Sequence, residues 1–353
     1  MPPERTVLVT GISGNLGARL LPLLSDFHVV GVDARPPDSF DVARFEQTDL
    51  GREPSCWQLI ELLREIGARS VIHLASVLDP QRSGVPSPER MWQINVAGTA
   101  RVMEAVSVVN RTGGQIRQFI FPSSVGVYGS ETVGPVKEEA PLCAHTLPSA
   151  IHKREADEVV RHRAASLGDC HTYIVRPHIF AGASVQNYMM GALRGTPLGS
   201  SKHAARMRAA GKRLPWLLPR GQKYLEKRFQ FVHVDDMARL LVHLLNRPAS
   251  DPPLTILNVA GRGEPITIQR CAEIAQARIK RAPTRAACRA VFGLLWKLGI
   301  TSIPPAALPY LIGSYTMDTT RLQHFLGEEY GRVIQYTIED ALRDSFNSVV
   351  SSQ

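Results

Sequence analysis

Short apolar runs alternate with longer stretches whose apolar residues recur at helical spacing. Val7–Val9, His28–Asp33, Phe45–Asp49, Val71–Ala75, Phe119–Ser123 and Thr172–Arg176 read as six buried strands. Their runs are nearly unbroken, as in strands covered on both faces of a parallel sheet. Asn15–Leu24, Ser55–Gly67, Pro88–Asn110 and Pro148–Leu167 read as helices between them. Ser55 can cap its helix and Gly67 can stop it. This alternation predicts an α/β fold, a doubly wound parallel sheet with right-handed crossovers. After Arg176–Pro177 the pattern breaks. It resumes with Phe229–Val234, a helix over Asp235–Leu245 and a strand over Thr255–Val259. The remainder reads as mostly helical, with a turn near Pro304. Residues 1–176 and 229–260 are therefore expected to form one domain around this sheet. Residues 177–228 and 261–353 are expected to form a smaller, mostly helical substrate-binding region.

The junction after the first strand is chemically specific. Thr6–Gly17 reads TVLVTGISGNLG, with Gly11, Gly14 and Gly17 three apart. A strand, a glycine turn and a helix start leave backbone N–H groups facing outward beside the positive end of a helix dipole. Such a turn lets a pyrophosphate approach the backbone in a Rossmann-type sheet. Asp33 closes the second strand, where a carboxylate can accept from the adenosine ribose of NAD. The bland alternative is a tight turn and a surface Asp. The agreement of strand, glycines, helix, second strand and acid favours the dinucleotide. Asp33 favours NAD over NADP, because it would repel a 2′-phosphate, while Arg35 is the opposing signal.

Composition is that of an ordinary globular chain: 353 residues, 44% apolar and 21% charged. The first strand follows the polar Met1–Arg5 directly, so no signal peptide is expected. Ala290–Ile300 is apolar but short and interrupted by Lys297, so no membrane span is expected. Cys56, Cys143, Cys170, Cys271 and Cys288 show no paired spacing. They point to reduced thiols in a cytoplasmic setting, without a metal site. The net charge of +9 is concentrated in one place. Between Arg194 and Arg228 lie ten Lys or Arg residues and a single acid, Glu226. That segment is either a cover for a small-molecule, anionic, nucleotide-linked substrate or a solvated loop. With few aromatics and no recognised module, it is not expected to bind nucleic acid.

By the fifth strand the chain resembles the extended short-chain dehydrogenase/reductase family, in its NAD-dependent epimerase/dehydratase group. The matching residues include TGISGNLG (10–17), Asp33, Asp49–Leu50, HLAS (73–76), NVAGT (95–99), FPSSVGVYG (121–129), Lys153, IVRPHIFAG (174–182), FVHVDDMA (231–238) and MDTTRLQHFLG (317–327). The resemblance implies a cofactor site of Gly11, Ser13, Gly14, Asn15, Leu16, Gly17, Asp33, Arg35, Asp49, Leu50, Leu74, Ala75 and Ser76. Lys153, Pro177, His178 and Ile179 would complete it beside the nicotinamide. Asn95 reads either as a satisfied buried amide or as a direct contact. His73 reads as a core histidine, and Asp235 and Asp236 as helix caps. The family often dimerises through the helices at Pro88–Asn110 and Pro148–Leu167, so a homodimer is expected.

The resemblance also implies a catalytic Ser, Tyr and Lys. Ser124 fits the serine and Lys153 the lysine. The tyrosine position, four residues before Lys153, is Ser149. A hydroxyl this weakly acidic cannot readily replace a phenol. Tyr128 has a counterpart in the family and is no evident substitute. Of the nearby histidines, His152 faces away, which leaves His145 as the better candidate. Two readings follow: an NAD-dependent epimerase/dehydratase-like oxidoreductase acting on a nucleotide-sugar-like or other alcohol/carbonyl substrate with an atypical active site, or a non-catalytic NAD(P)-binding sensor or partner protein.

Overall fold

The computed structural model describes residues 5–37, 42–79, 83–85, 87–247 and 252–347. Met1–Glu4, most of the polar lead-in, lie outside them. Six strands open the chain: β1 (Thr6–Thr10), β2 (His28–Asp33), β3 (Arg44–Gln47), β4 (Ser70–His73), β5 (Gln118–Pro122) and β6 (His171–Pro177). Four short strands follow: β7 (Ile179–Ala181), β8 (Trp216–Pro219), β9 (Arg228–Phe229) and β10 (Phe231–His233). The last are β11 (Leu254–Val259), β12 (Ile266–Thr267) and β13 (Ile279–Ala282). Seven of them form one parallel sheet in the order β11-β6-β5-β4-β1-β2-β3. The expected first strand is thus central. The chain winds outward from β1 in both directions, so a crevice opens above the β1 and β4 ends.

Alternation along the strands builds two apolar layers. Leu8, Val30, Val71 and Phe119 face the helices Ser55–Glu65 and Gly98–Arg111, against Leu59, Leu63, Val102 and Val106. Val7, Val9, Val29 and Ile72 face the other way, against Leu20, Met237 and Leu241. Each such buried side chain contributes about 1.5–3 kcal/mol. The layers hold the strand ends rigidly, and the loops above them can carry chemistry.

Several expected elements are broken where the backbone has a reason to break. The helix from Asn15 ends at Leu20 and tightens into a 3₁₀ turn, Leu21–Leu23, at Pro22, which has no N–H to continue the ladder. The long helix from Pro88 is three pieces: Pro88–Trp92, a π turn over Gln93–Ala97, and Gly98–Arg111. Besides its helices, the chain after β6 contains three two-stranded sheets, β7 with β10, β9 with β12 and β8 with β13, around a core including Trp216, Leu218 and Phe229. Asp235 and Asp236 do not cap their helix, Val234–Leu245. His233 does so, accepting from the Asp235 N–H at 3.2 Å. Asp236 is fully buried and accepts instead from the backbone N–H groups of Gln335 at 2.9 Å and Tyr336 at 3.1 Å. It ties the C-terminal segment to this helix.

Candidate active site

The three turn glycines have three different reasons to be glycine. Gly11 has φ +73°, and a Cβ there would lie 2.4 Å from the Ala75 nitrogen. A Cβ on Gly17 would lie 2.1 Å from the Ile12 carbonyl oxygen. Those two serve close packing of the turn. A Cβ on Gly14 would meet only the Gly11 carbonyl oxygen, at 3.1 Å, so its outer side is open. The helix that follows has no side-chain cap, whereas Ser87, Asn187, Ser201, Thr267 and Thr284 cap others. Uncapped amides, a helix dipole and an open glycine make a cradle that suits a pyrophosphate. Ser13 and Leu16 belong to the same turn and helix start. Asn15 reaches across to Ser184, its Nδ2 donating to Oγ at 3.0 Å.

Asp33 is half-buried at the end of β2. Its carboxylate accepts from the Ser13 N–H at 3.1 Å and the Arg35 N–H at 3.2 Å. The Ser13 hydroxyl donates to the Arg35 carbonyl at 2.7 Å. The acid is thereby aimed across the glycine turn, while the Arg35 side chain is exposed. Asp49 accepts from the Gly51 N–H at 3.0 Å and is paired with Arg90. Its carboxylate is therefore bound within the fold, beside buried Leu50. Asn95, in the π turn, is 3% exposed and fully satisfied. It holds the loop after β4, which contains Leu74, Ala75 and Ser76, so the buried-amide reading is the right one. His73 is a core histidine as expected. It bridges the hydroxyls of Thr10 at 2.6 Å and Thr99 at 2.9 Å, and burial pushes its pKa down to about 3.

Ser124, Ser149, Lys153, His178 and Ile179 line one cavity of about 210 Å³ above β5 and β6. Ser124 caps the 3₁₀ turn Val125–Tyr128, its hydroxyl accepting from the Gly126 N–H at 3.1 Å. The helix Pro148–Arg163 starts with proline at its first position, the one place where a missing N–H costs nothing. It carries Ser149, Lys153 and Asp157 at successive turns of one face. Lys153 donates to the Pro122 carbonyl at 2.7 Å, and burial lowers its pKa to about 8, with Asp157 opposing that shift. His178 accepts the Ile179 N–H on Nδ1 at 2.9 Å, so its proton sits on Nε2 and is donated to the Tyr315 carbonyl at 3.0 Å. Burial lowers its pKa to about 3. It is a neutral, locked wall of the cavity. Pro177 ends β6 just before it, and the His178 N–H donates to the Val259 carbonyl at 2.8 Å.

The groups that the sequence offered as substitutes for a tyrosine at position 149 do not line this cavity. His145 is exposed, bonded to the Cys143 carbonyl at 2.9 Å, and does not line the cavity. His152 is buried outside it. Tyr128 donates to Asn258 Oδ1 at 2.8 Å and accepts from Arg176 at 2.7 Å, and burial pushes its pKa up to about 12. Three other phenols, Tyr188, Tyr310 and Tyr315, do line the cavity. They come from chain segments with no motif to announce them.

A second cavity of about 530 Å³ adjoins the first, sharing Asp79, Gln186, Asn187 and Tyr188 with it. Arg194, Leu198 and Ser200 line it, so the start of the basic segment does reach the cleft. The other nine cations of that segment do not line it. Arg208 donates to the Gly199 carbonyl at 3.1 Å, and Arg213 to the Arg194 carbonyl at 2.7 Å. Lys227 pairs with Glu131 at 2.8 Å. These three are tied down within the fold, while most of the segment's cations are exposed at the surface. No cluster of metal-ligating residues occurs among the described residues.

Comparison with known proteins agrees with this geometry. The family model of the NAD dependent epimerase/dehydratase family matches residues 7–260. UDP-glucose 4-epimerase 4 of Oryza sativa subsp. japonica is 28% identical over 252 residues, covering 67% of this chain and 66% of that protein. The UDP-glucose 4-epimerase of Erwinia amylovora is 27% identical over 205 residues, covering 54% of this chain and 58% of that protein. The chain thus spans about two thirds or less of the length of these curated relatives. Among solved structures, MoeE5 in complex with UDP-glucuronic acid and NAD superposes with TM-score 0.66 at 20% identity, covering 99% of this chain and 100% of that one. The UDP-glucose 4-epimerase of Thermus thermophilus, in complex with NAD, gives TM-score 0.67 at 17% identity, covering 99% and 100%. On the match of its residues 7–260, the chain belongs to the NAD dependent epimerase/dehydratase family, and NAD is its cofactor.

Proposed function

We propose that the protein is an oxidoreductase of the epimerase/dehydratase type, acting on the alcohol or carbonyl of a nucleotide-sugar-like substrate from an active site without the usual tyrosine. The observation that carries the reading is the shared cavity of Ser124, Ser149, Lys153 and His178, beside a glycine turn open at Gly14. The uncapped helix start would hold the pyrophosphate of NAD, Asp33 the adenosine ribose hydroxyls, and the Lys153 ammonium the nicotinamide ribose. Bound NAD supplies the hydride acceptor and donor. Ser124 would steady the reacting oxygen. The His178–Ile179 wall, locked by two hydrogen bonds, would keep water from one side of the site.

The neighbouring cavity gives room for the rest of the substrate. Arg194, whose guanidinium also donates to the Val185 carbonyl at 3.1 Å and the Ser345 carbonyl at 3.0 Å, lines it with Asn187, and its charge suits a diphosphate. The relatives that carry the name UDP-glucose 4-epimerase support a uridine diphosphate sugar as the first substrate to try. Incubation with NAD and UDP-glucose or UDP-glucuronic acid, followed by chromatography of the sugar nucleotide and nicotinamide absorbance, tests the reading. An altered sugar or reduced cofactor is expected. Tight NAD binding without either would favour the second reading, a non-catalytic binding protein, which Ser149 supports. The division into 1–176 with 229–260, and 177–228 with 261–353, belongs to the same proposal. So do a homodimer through the helical segments at Pro88–Asn110 and Pro148–Leu167, and a cytoplasmic setting for five free thiols.

A further inference from the structure

The active site has lost a phenol at position 149, yet it still contains phenols. Tyr315 is fixed: its hydroxyl donates to the Tyr310 carbonyl at 2.7 Å, and its ring stacks on His178 with centroids 5.4 Å apart. Tyr188 lies on the far side, where the two cavities meet, 3.5 Å from the Leu78 carbonyl. Tyr310 is placed differently. It sits in the short helix Leu308–Ile312, and its hydroxyl donates to the Gly126 carbonyl at 3.2 Å. Gly126 is also the residue whose N–H binds the Ser124 hydroxyl. A Cβ built on Gly126 would be 3.4 Å from Ser124 Oγ, 3.4 Å from Ala150 Cβ and 3.9 Å from Tyr310 Cε1. The Tyr310 ring therefore packs into the corner between Ser124 and the residue that follows Ser149. The bond from its hydroxyl, to a neutral carbonyl at 3.2 Å, is long for an O–H donor.

We propose that Tyr310, delivered from the C-terminal segment, is the acid/base group of this active site, replacing the phenol missing at Ser149. This rests on the oxidoreductase reading above. When a substrate alcohol is oxidised, its O–H bond breaks and the proton passes to the Tyr310 phenolate oxygen. The C–H bond breaks with its electron pair, which reduces NAD as the carbonyl forms. In the reverse direction the Tyr310 O–H bond breaks and its proton completes the new alcohol, as the hydride returns to carbon. Atoms and electrons balance with no further reactant. Arg154 of the helix Pro148–Arg163 and Tyr315 of its own segment act on Tyr310, and Lys153 lines the same cavity. Burial raises the Tyr310 pKa to about 12, while a hydrogen bond with Thr146 and the charge of Arg154 act against that rise, and the positive charge of bound oxidised NAD would add to them.

Three variants test this: Tyr310→Phe, Ser149→Tyr, and the two together. Tyr310→Phe keeps the ring and should fold. It should retain NAD affinity and lower kcat by roughly 10²–10⁴-fold, with KM little changed. The double variant should recover turnover, because the phenol returns one helical turn before Lys153. Wild-type kcat in Tyr310→Phe would overturn the proposal. A second readout needs no substrate. The tyrosinate absorbance that Tyr310→Phe removes should titrate at lower pH when oxidised NAD is bound, and less so with NADH, whose ring is uncharged. Absence of that shift would also overturn it. If the shift is present but no sugar nucleotide is turned over, the oxidoreductase reading fails and the placement of Tyr310 stands.

Discussion

Asn95 and Val77 are hydrogen-bonded to each other twice: Nδ2 donates to the Val77 carbonyl at 2.8 Å, and the Val77 N–H donates to Oδ1 at 2.7 Å. This pair of bonds fastens the loop after β4 to the π turn beneath it. An extra residue in the helix turns the amide toward the loop. The same loop lies against Gly11, so the glycine turn rests on it.

Replacing Asn95 by Ala should therefore act on two readouts. It leaves the half-buried N–H and C=O of Val77 without their partners, which costs about 1 kcal/mol of stability. It should also weaken NAD binding roughly tenfold, a change of about 1.4 kcal/mol, because Ala75 and Ser76 are no longer held. A melt and an NAD titration on the same sample check this. Full NAD affinity in the variant would mean the loop does not form part of the site.

The glycines separate packing from binding. Gly11→Ala and Gly17→Ala should each destabilise the fold by about 1–3 kcal/mol or more, since the new methyl meets backbone. Gly14→Ala should leave the melting temperature close to wild type and remove most NAD affinity. Equal loss of stability in all three would show that the Gly14 side is not open.

Asp33→Asn should erode the preference for NAD over NADP. The ratio of the two dissociation constants is expected to move by about tenfold or more toward NADP, because the repulsion of a 2′-phosphate is removed while Arg35 remains. Titration with both cofactors measures it. An unchanged ratio would place the ribose elsewhere.

Two burial effects give opposite ends of the pH profile. His73 and His178 have pKa values near 3, against an ordinary 6.5. Between those limits the unfolded chain binds more protons than the folded one, so stability is full above pH 6.5 and declines as the pH falls toward 3. Lys153 has a pKa of about 8 against 10.5. Here too the unfolded chain binds the extra proton, between pH 8 and 10.5, so the strain of burying this ammonium is full below pH 8 and is relieved above it. NAD affinity should follow the opposite course, holding below pH 8 and falling above it as the ammonium is lost. Lys153→Ala should weaken binding and flatten that limb. A pH-independent affinity in the wild type would show that the charge of Lys153 is not used.

Asp157→Asn tests what lies under the site. Asp157 and Arg176 are both fully buried and joined at 2.8 Å, and the Ser123 hydroxyl donates to the same carboxylate at 2.6 Å. Neutralising the acid leaves a buried guanidinium without its counter-charge, at a cost of about 3–5 kcal/mol. It also removes the charge that supports the Lys153 ammonium, so the Lys153 pKa should fall further. Chemical denaturation and the pH dependence of NAD binding read the two effects separately.

What the sequence determined was local and repetitive. Apolar runs gave away the six strands and the helices between them, because backbone periodicity is written into neighbouring residues. The glycine turn and Asp33 were legible for the same reason, since strand, turn and helix must be contiguous to make a dinucleotide site. Ser124, Ser149 and Lys153 were legible only through a family pattern. What tertiary structure decided is everything that depends on one segment crossing another. It sent Asp236 to the amides of Gln335 and Tyr336, turned Arg208 and Arg213 onto carbonyls, left His145 outside the cavity and brought Tyr310 beside Gly126. A side chain's partner across such a crossing is set by how the whole chain packs, and no spacing along the sequence encodes it.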